Sequence, residues 1–385
     1  MASHAATDRE VWDVDEHDLA HIALGAGILG TGGGGNTYLG FLRARQLLRA
    51  GRRIRIVPPE ALGDDDWAIP VGGIGAPTVG VERIKQGGES LRALRAVEAA
   101  SGRTASAVIS DEVGGANAIE PMIAAAMAGL PVVDADAMGR AFPELQMNTF
   151  LIYGLPCTPG ALADDKGNVV TFPHAVSPLW LERIARAATV AVGCSAAFAM
   201  APVSGADIRR FGVRNTLSQS WRLGAAVAKA RRLRRDPVAA ILALEQGTLL
   251  HTGKIVDVRR HTTAGFARGH MHVAGTGEHA GTRLEIDFQN ENLIARVDGA
   301  PVAIVPDLVC VLDAVTARPY FTDELRFGLQ VAVVALPATP LLRTPEALAV
   351  VGPRAFGYDL EYAPLSDYAR PAWASESDRL ATMAA

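Results

Sequence analysis

The sequence lacks the features that would assign it to several large classes of protein. Its three cysteines, Cys157, Cys194 and Cys310, are too few and too scattered for a disulfide framework or a CxxC metal knuckle, so we regard them as structural thiols. Lysine and arginine number 37 against 41 acidic residues, a net charge of −4, which does not provide the basic surface that nucleic acid requires. We therefore expect no nucleic-acid partner.

Long apolar runs are absent as well. No uncharged apolar stretch reaches the roughly 18 residues that cross a bilayer. Residues 1–16 are polar and acidic and have no apolar signal-peptide core. We expect a cytoplasmic protein without a membrane partner.

What the sequence does contain is typical of an α/β protein. Hydrophobic residues make up 49% of the chain, and 39 glycines and 22 prolines predict many sharp turns around a sizeable core. Residues 105–110 have the pattern of a short buried strand, 118–129 that of a helix, and 131–134 that of a second strand. Strand, helix and strand in this order predict a right-handed parallel βαβ unit.

The pattern changes near residue 175, where we place a domain boundary. A hairpin is predicted at 162–172, with its turn at 165–168. We predict an N-terminal α/β domain containing the βαβ unit over residues 18–175, and an α+β domain with a largely antiparallel sheet over 176–370. In the second domain we predict seven short strands, at 254–259, 271–274, 284–288, 293–297, 302–305, 309–312 and 331–336.

A glycine-rich segment follows the first predicted helix, at 18–24. Residues 25–30 match the G-x-G-x-x-G pattern, but a helix precedes them and no acidic residue follows about twenty positions later, so a dinucleotide site is not favoured. Gly32, Gly33, Gly34, Gly35 and Asn36 come next. Such a loop can offer free N–H groups to an anionic ligand, or it can be a tight buried turn, and both interpretations stay open.

Two acidic pairs follow the two strands of the βαβ unit. They are Asp111 with Glu112, and Asp134 with Asp136. Neighbouring parallel strands lie about 4.8 Å apart, so these carboxylates can converge on one substrate. Crowded carboxylates shift one another's pKa values and can thereby supply both a general base and a general acid. The alternative is that Asp111 or Asp136 caps a helix.

Two other groups have open interpretations. Arg140 either balances the charge of these carboxylates or binds a substrate carboxylate with its planar guanidinium. His270 and His272 would lie on one face of a strand, as a metal-binding pair does. Spacing does not identify a third ligand, although His251 or His261 could supply it.

Several strings taken together resemble the S-methyl thiohydantoin desulfurase family, which is also described as hydantoinase-like. They are GTGGGG (30–35), DEVGGAN (111–117), VDADAMGRAFPELQM (133–147), FQNENL (288–293), PDL (306–308) and GPRAFGYD (352–359). The resemblance extends from about residue 18 to 364. It implies a two-domain hydrolase that converts an S-methylated thiohydantoin with a propionate arm into the hydantoin and methanethiol, a step of ergothioneine catabolism. It allows a zinc ion, although the sequence itself establishes no cofactor.

That reaction suggests a role for each candidate residue. The base would be Asp111 or Glu112, because water must lose a proton as it attacks, and Asp134 or Asp136 would orient water or donate a proton. The remaining candidates would bind substrate. Arg140 or the Gly32–Gly35 amides would bind the propionate. Asn117 and Gln146 would bind the amide edge of the ring, with Glu144 beside them.

Two other functions remain as alternatives. One is ring-opening hydrolysis of hydantoins or oxoproline-like lactams, and the lack of a G-x-x-x-x-G-K-[ST] loop weakens its ATP-dependent version. The other is a non-catalytic subunit that binds a small molecule in a hydantoinase-like complex. In every case we expect a homo-oligomer, because apolar faces are predicted on the Ala- and Val-rich second domain.

Overall fold

The computed structural model describes residues 11–263 and 265–368. The first ten residues of the polar N-terminal stretch, and residues 369–370 of the predicted second domain, lie outside the described residues. The strands of the described chain are β1 (Trp12–Asp13), β2 (Arg55–Val57), β3 (Trp67–Gly75), β4 (Ala107–Ser110), β5 (Val132–Val133), β6 (Ala135–Asp136), β7 (Gly160–Ala163), β8 (Val169–Phe172), β9 (Ser195–Ala199), β10 (Val203–Ser204), β11 (Val213–Arg214), β12 (Thr248–Thr263), β13 (Phe266–Gly275), β14 (Arg283–Gln289), β15 (Glu291–Val297), β16 (Ala300–Ile304), β17 (Leu308–Asp313) and β18 (Gln330–Leu336).

The helices lie mostly in the first two thirds of the chain. They are α1 (Glu16–Leu29), α2 (Thr37–Arg49), α3 (Pro77–Glu82), α4 (Glu89–Ser101), α5 (Glu120–Ala128), α6 (Thr149–Ile152), α7 (Pro178–Ala191), α8 (Gly205–Phe211), α9 (Thr216–Arg232), α10 (Pro237–Glu245) and α11 (Pro345–Val351). None of the helices in the described part of the chain combines the length and the apolar character needed to cross a bilayer.

The first sheet contains the predicted βαβ unit. Its strand order is β1-β2-β5-β4-β3-β9-β7-β8, with β10 also paired to β3. The strands β2, β5, β4 and β3 run parallel, and β4 lies directly beside β5, with Val108 opposite Val132. The prediction of an α/β fold with a parallel βαβ unit is therefore confirmed. The 162–172 hairpin is also present, as β7 and β8.

This sheet takes strands from both sides of residue 175. Strand β9 pairs with β3 and with β7, and β10 pairs with β3, although both follow the predicted boundary. Side chains from both halves also share one buried core, in which Leu19 and Ile22 join Leu293 and Ile304. The division at residue 175 stays a prediction.

The second sheet is antiparallel throughout, in the order β16-β15-β14-β13-β12-β18-β17. All seven predicted strands are present, most of them longer than predicted. Met271 on β13 and Ile286 on β14 point into a buried apolar cluster, while alternate residues face the other side. The strands β14 and β15 are joined at Asn290, whose positive φ of 58° makes the turn very tight.

The first glycines of the G-x-G-x-x-G string belong to a helix, so the expectation of a loop after residue 24 was wrong. Gly25 lies within α1, and a Cβ atom there would overlap the carbonyl oxygen of Ser220 on α9. Reciprocally, a Cβ atom on Gly224 would overlap the carbonyl oxygen of His21. These glycines let α1 and α9 pack at close range, which outweighs the low helix propensity of glycine.

Candidate active site

A cleft opens between the first sheet and the tip of the β14–β15 hairpin. It encloses about 1000 Å³, its open mouth included. Its floor lies where β3 and β4 end, at the carboxyl edge that binds ligands in open α/β sheets. The polar and glycine residues of its lining are Gly34, Gly35, Asn36, Gly40, Arg43, Gly73, Gly75, Gly80, Lys85, Asp111, Glu112, Asn117, Glu120, Arg186, Ser195, Asn290 and Glu291. The glycine-rich loop and the first acidic pair thus meet in one cavity.

Asp111 follows β4 directly and is 7% exposed. The side-chain amide of Asn148 donates a hydrogen bond to its Oδ1 atom. Burial raises the pKa of Asp111 to about 7, and this one hydrogen bond opposes the rise only in part. The carboxyl group therefore changes its charge near neutral pH, as a general base requires.

Glu112 is also buried, but both of its carboxyl oxygens accept hydrogen bonds. The Asn117 amide donates to Oε1, and the backbone N–H of Phe142 donates to Oε2 at 2.9 Å. Burial and the nearby carboxyl group of Glu291 raise the pKa of Glu112 well above its ordinary value. Asn117 also accepts the Gly73 N–H at 2.8 Å, so it orients Glu112 from the end of β3.

Glu291 is the third carboxyl group of the cavity, and no role was predicted for it. It begins β15, directly after the Asn290 turn, and it is 2% exposed. Burial raises its pKa to about 8, although Arg140 and the Gly34 N–H lower it. Its Oε2 atom has no hydrogen-bond partner among the described residues. The FQNENL string was the available signal, but it entered only through the family resemblance.

Both interpretations of the glycine-rich loop apply, each to a different part of it. A Cβ atom on Gly33 would overlap the Glu291 carboxyl group, and one on Gly32 would crowd Asn292 and Thr322. These two glycines are absent from the described cavity lining, whereas Gly34 and Gly35 line it with positive φ values of 72° and 84°. Half of the loop is therefore a tight buried turn, and half faces the cavity.

Asn36 ends this loop and has two roles. Its side chain accepts the Tyr38 N–H at 2.9 Å and so caps α2, and it also lines the cleft.

A basic wall, which the sequence analysis missed, also lines the cleft. Arg43 donates to Glu120 at 2.6 Å and Lys85 donates to the same carboxylate at 3.0 Å, while Ser90 donates at 2.8 Å. Both cations hold the pKa of Glu120 well below its usual range. Two cations thus share the Glu120 carboxylate, and the buried carboxylate of Glu89 also acts electrostatically on Arg43.

The second acidic pair does not reach the cavity, which corrects the expectation that all four carboxylates converge. Asp134 accepts the N–H groups of Leu217 and Ser218 at 2.9 and 3.1 Å, and the Ser218 hydroxyl as well. It therefore caps α9, a role the sequence suggested for Asp111 or Asp136.

Asp136 also accepts backbone donors, but through one of its two oxygens. Its Oδ2 atom accepts three backbone N–H groups, those of Val113 and Gly139 at 2.8 Å and that of Met138 at 3.1 Å, whereas its Oδ1 atom has no hydrogen-bond partner among the described residues. Neither Asp134 nor Asp136 is among the described residues of the cavity lining. The structure thus gives both carboxylates backbone partners.

Arg140 is likewise not available to a substrate. It is fully buried and donates to the carbonyl oxygens of Pro306 and Asp307 at 3.0 and 2.8 Å, and to the Thr31 hydroxyl at 2.9 Å. Of its two suggested roles, charge balance fits better, because Glu291 and Glu112 both act on its pKa electrostatically. It joins the glycine-rich loop to the second half of the chain.

Glu144 and Gln146 hydrogen-bond to each other instead of lining the cavity. Gln289 also approaches Glu144, at 3.4 Å. Neither Glu144 nor Gln146 is part of the described lining, and this corrects the expectation that they contact substrate there.

The donor atoms of the cavity do not suit zinc. Zinc in proteins is held largely by histidine nitrogen and cysteine sulfur, and the described lining contains neither residue type. The His270–His272 pair lies on β13, outside the lining, and its neighbour is Asp257. His251, proposed as a third ligand, instead contacts the ring of His279 with centroids 4.8 Å apart.

The fold and the cavity define an α/β protein with two large sheets, a shared core and a cleft that contains buried carboxyl groups. Comparison with family models then identifies the family. The S-Me-THD-like N-terminal domain matches residues 17–174, and the S-Me-THD-like C-terminal domain matches residues 176–365. The chain belongs to this family, that of S-methyl thiohydantoin desulfurase, as its motifs suggested.

A solved structure supports the fold. The crystal structure of a protein from Chromobacterium violaceum has a TM-score of 0.77 and 24% sequence identity, and the match covers 92% of this chain and 100% of that one. No curated protein matches the chain.

Proposed function

We propose that the protein hydrolyses the C–S bond of an S-methyl thiohydantoin with a carboxylate arm and releases methanethiol. One observation carries the proposal. Three buried carboxyl groups, Asp111, Glu112 and Glu291, line one cavity with raised pKa values, and the cations Arg43 and Lys85 line the same cavity. Family membership supports the same substrate class.

The chemistry needs one base and one acid. The reacting carbon carries the methylthio group and two ring nitrogens. Water adds to this carbon as the base takes one of its protons, and the ring nitrogen that was doubly bonded to the carbon takes a proton from the acid. The carbonyl then forms as the deprotonated acid takes back the hydroxyl proton, and the C–S bond breaks. The sulfur leaves as methanethiol with the proton held by the base, so both carboxyl groups return to their starting states. Substrate and water therefore become hydantoin and methanethiol without any change of oxidation state.

The surroundings of each carboxyl group favour a particular role. Asp111, with a pKa of about 7 and a single amide partner, acts as the base. Hydrogen bonds to both oxygens of Glu112 lower its pKa, but burial and Glu291 raise it by more, so Glu112 is assigned neither role. Glu291, with a pKa of about 8 and an unpartnered Oε2, keeps its proton near neutral pH and acts as the acid. It takes the role that the sequence suggested for Asp134 or Asp136.

The carboxylate arm would bind beside Lys85 and Arg43. These cations share Glu120 and line the cavity, so they can attract a second anion. The backbone of Gly35 lines the same cavity and can add an N–H donor, whereas the Gly34 N–H already hydrogen-bonds to Glu291. This arrangement would place the ring over the carboxyl groups and the arm against the cations.

A thiol-release assay tests the proposal. The purified chain should release methanethiol from S-methyl thiohydantoin propionate, and Glu291→Gln should lower the rate by roughly 10²–10⁴-fold, the usual contribution of a general acid. Glu144→Gln is the matched control, because Glu144 lies near the hairpin but outside the described lining. Its rate should stay near that of the unmodified chain.

The same assay separates the alternatives. Ring-opened product without methanethiol would replace the proposal with lactam or hydantoin hydrolysis. Tight binding of the thioether without any product would favour a non-catalytic binding subunit. Equal rates in the Glu291→Gln and Glu144→Gln variants would remove Glu291 as the acid.

A further inference from the structure

The second sheet carries a cluster of metal-binding side chains that is separate from the cleft. Asp257, His270 and His272 each offer one ligand atom, and the three atoms lie within 4.8 Å of one another. None of the three belongs to the described lining of the cleft. We infer that they form a binding site for a divalent cation of the Zn²⁺ type.

Strand register produces this cluster. His270 and His272 are two residues apart on β13, and Asp257 on β12 lies directly opposite His272. Residues at these positions project from the same face of a sheet. The opposite face carries Met271 and Val273, which are fully buried in the apolar core. The core therefore holds the backbone that presents the three ligands.

The hydrogen bonding of His272 is that of a metal ligand. Its Nε2 atom lies 3.2 Å from Oε2 of Glu285, and its Nδ1 atom lies 3.6 Å from Oδ2 of Asp257. Nδ1 is buried and has no hydrogen-bond partner among the described residues. Histidines that bind metals usually donate their other ring N–H to a carboxylate, which fixes the tautomer. In the tautomer with the proton on Nε2, His272 donates to Glu285, and the Nδ1 lone pair is then available on the side of Asp257.

Two imidazole nitrogens and one carboxylate oxygen select the class of cation. This set suits Zn²⁺ or Co²⁺ with an open fourth position, whereas Mg²⁺ and Ca²⁺ prefer oxygen ligands alone. Bonds of about 2.0–2.1 Å place tetrahedral ligands roughly 3.3–3.4 Å apart. Small rotations of the partly exposed His270 and Asp257 side chains would bring the ligand atoms, now within 4.8 Å of one another, to this closer spacing.

The charged groups around the cluster permit a cation. Arg259 approaches Asp257 at 3.4 Å, but its side chain is 75% exposed and can turn into solvent. Arg296 is already paired with Asp287 at 2.8 Å and approaches Glu285 at 3.8 Å. Arg268 lies on the same face of β13 and balances the third nearby carboxylate, Asp287, so the local charge is close to neutral before a cation binds.

A cation at this position would join β12 to β13. Glu285, which orients His272, lies on β14, and β14 leads into the Asn290 turn and Glu291. The role we assign is therefore structural: the cation stiffens the three strands that carry the hairpin tip to the cleft. No step of the proposed hydrolysis passes through it.

Metal titration of the full chain tests this site without any activity measurement. After treatment with a chelator, Co²⁺ should bind at one equivalent and produce the visible absorption of a nitrogen- and oxygen-ligated ion, and Zn²⁺ should displace it. His270→Ala or His272→Ala should weaken binding by more than about 100-fold. Glu285→Gln should weaken it by about 10–100-fold, as the loss of an orienting partner does.

His174→Gln is the matched control, because His174 is an exposed histidine outside the second sheet. It should leave binding unchanged. Circular dichroism verifies that each variant is folded, and Asp257→Asn serves if a histidine variant does not fold. Absence of one-equivalent binding, or equal affinity in the control and the ligand variants, would overturn the inference.

Discussion

Two segments that follow neighbouring parallel strands of the first sheet carry buried acidic pairs, and the contrast between them explains where chemistry can occur. Burial raises the pKa of Asp111 after β4 and of Asp136 at β6 to about 7 alike. Asp111, however, receives one side-chain amide and lines the cleft, whereas Asp136 receives three backbone N–H groups and does not. A raised pKa therefore does not identify a catalytic carboxyl group. Access to the cavity does.

The largest effect that can test this contrast is loss of the base. Asp111→Asn should lower methanethiol release by roughly 10²–10⁴-fold, because the amide cannot accept the proton of water. The measurement is the turnover rate per folded molecule. Asp136→Asn should leave the turnover rate per folded molecule nearly unchanged. Similar losses in both variants would abolish the distinction between the two loops.

Substitution of the second acidic pair should instead lower stability and leave the turnover rate intact. Asp134→Ala should lower the free energy of unfolding by about 1–3 kcal/mol, because the first N–H groups of α9 and the Ser218 hydroxyl lose their acceptor. Urea denaturation measures this change. Turnover per folded molecule should persist. A fully stable but inactive Asp134→Ala protein would move Asp134 into the catalytic group.

The basic wall of the cleft, formed by Arg43 and Lys85, allows the same comparison for cations. Lys85→Met should raise KM by about tenfold, close to 1.4 kcal/mol of binding, with a smaller change in kcat. Steady-state kinetics measure both constants. A substrate without the carboxylate arm is the control, since its KM should not depend on Lys85. Equal effects on the two substrates would show that Lys85 does not contact the arm.

The smallest expected effect is on the pH dependence of stability. Burial raises the pKa of Asp111 from 3.8 to about 7, so the folded chain binds more protons than the unfolded chain between these values. Stability contributed by this group is therefore present at low pH and is lost as the pH rises from about 4 to 7. Asp111→Asn should flatten, but not abolish, this decline, because Asp136 contributes in the same direction. An unchanged slope in denaturation midpoints across this range would contradict the assignment.

The rate should have its own pH profile. With Asp111 ionising near pH 7 and Glu291 losing its proton near pH 8, kcat/KM should rise to about pH 7 and fall above about pH 8. A profile that stays flat across both values would leave neither carboxyl group in its proposed role.

Elements with a strong local pattern were predicted well. The βαβ unit and the seven strands of the second sheet follow from short apolar runs and from period-two alternation, which depend on near neighbours in the chain. Helix α1 was predicted too short because Gly25 normally disfavours a helix. Its close packing against Ser220 on α9 reverses that preference. No feature of the local sequence predicts such a contact.

The site could be predicted only in part. Asp111, Glu112, Gly34 and Gly35 come from the predicted segments and do line the cleft. Glu291 enters from the β14–β15 hairpin, far along the chain, and no rule of local spacing connects it to Glu112. The basic wall was missed for a similar reason, since its residues on α2, α5 and the segment after α3 meet only in the folded chain.

The sequence alone determined the family, the class of fold and the position of one acidic pair, because motifs and hydrophobic periodicity are properties of short segments. Only the tertiary structure decided which carboxyl groups could act. A carboxylate surrounded by backbone N–H groups caps a helix or closes a turn, and a carboxylate with few donors beside a cavity can exchange protons. That difference depends on the groups that arrive from distant parts of the chain, and the folded structure alone brings them together.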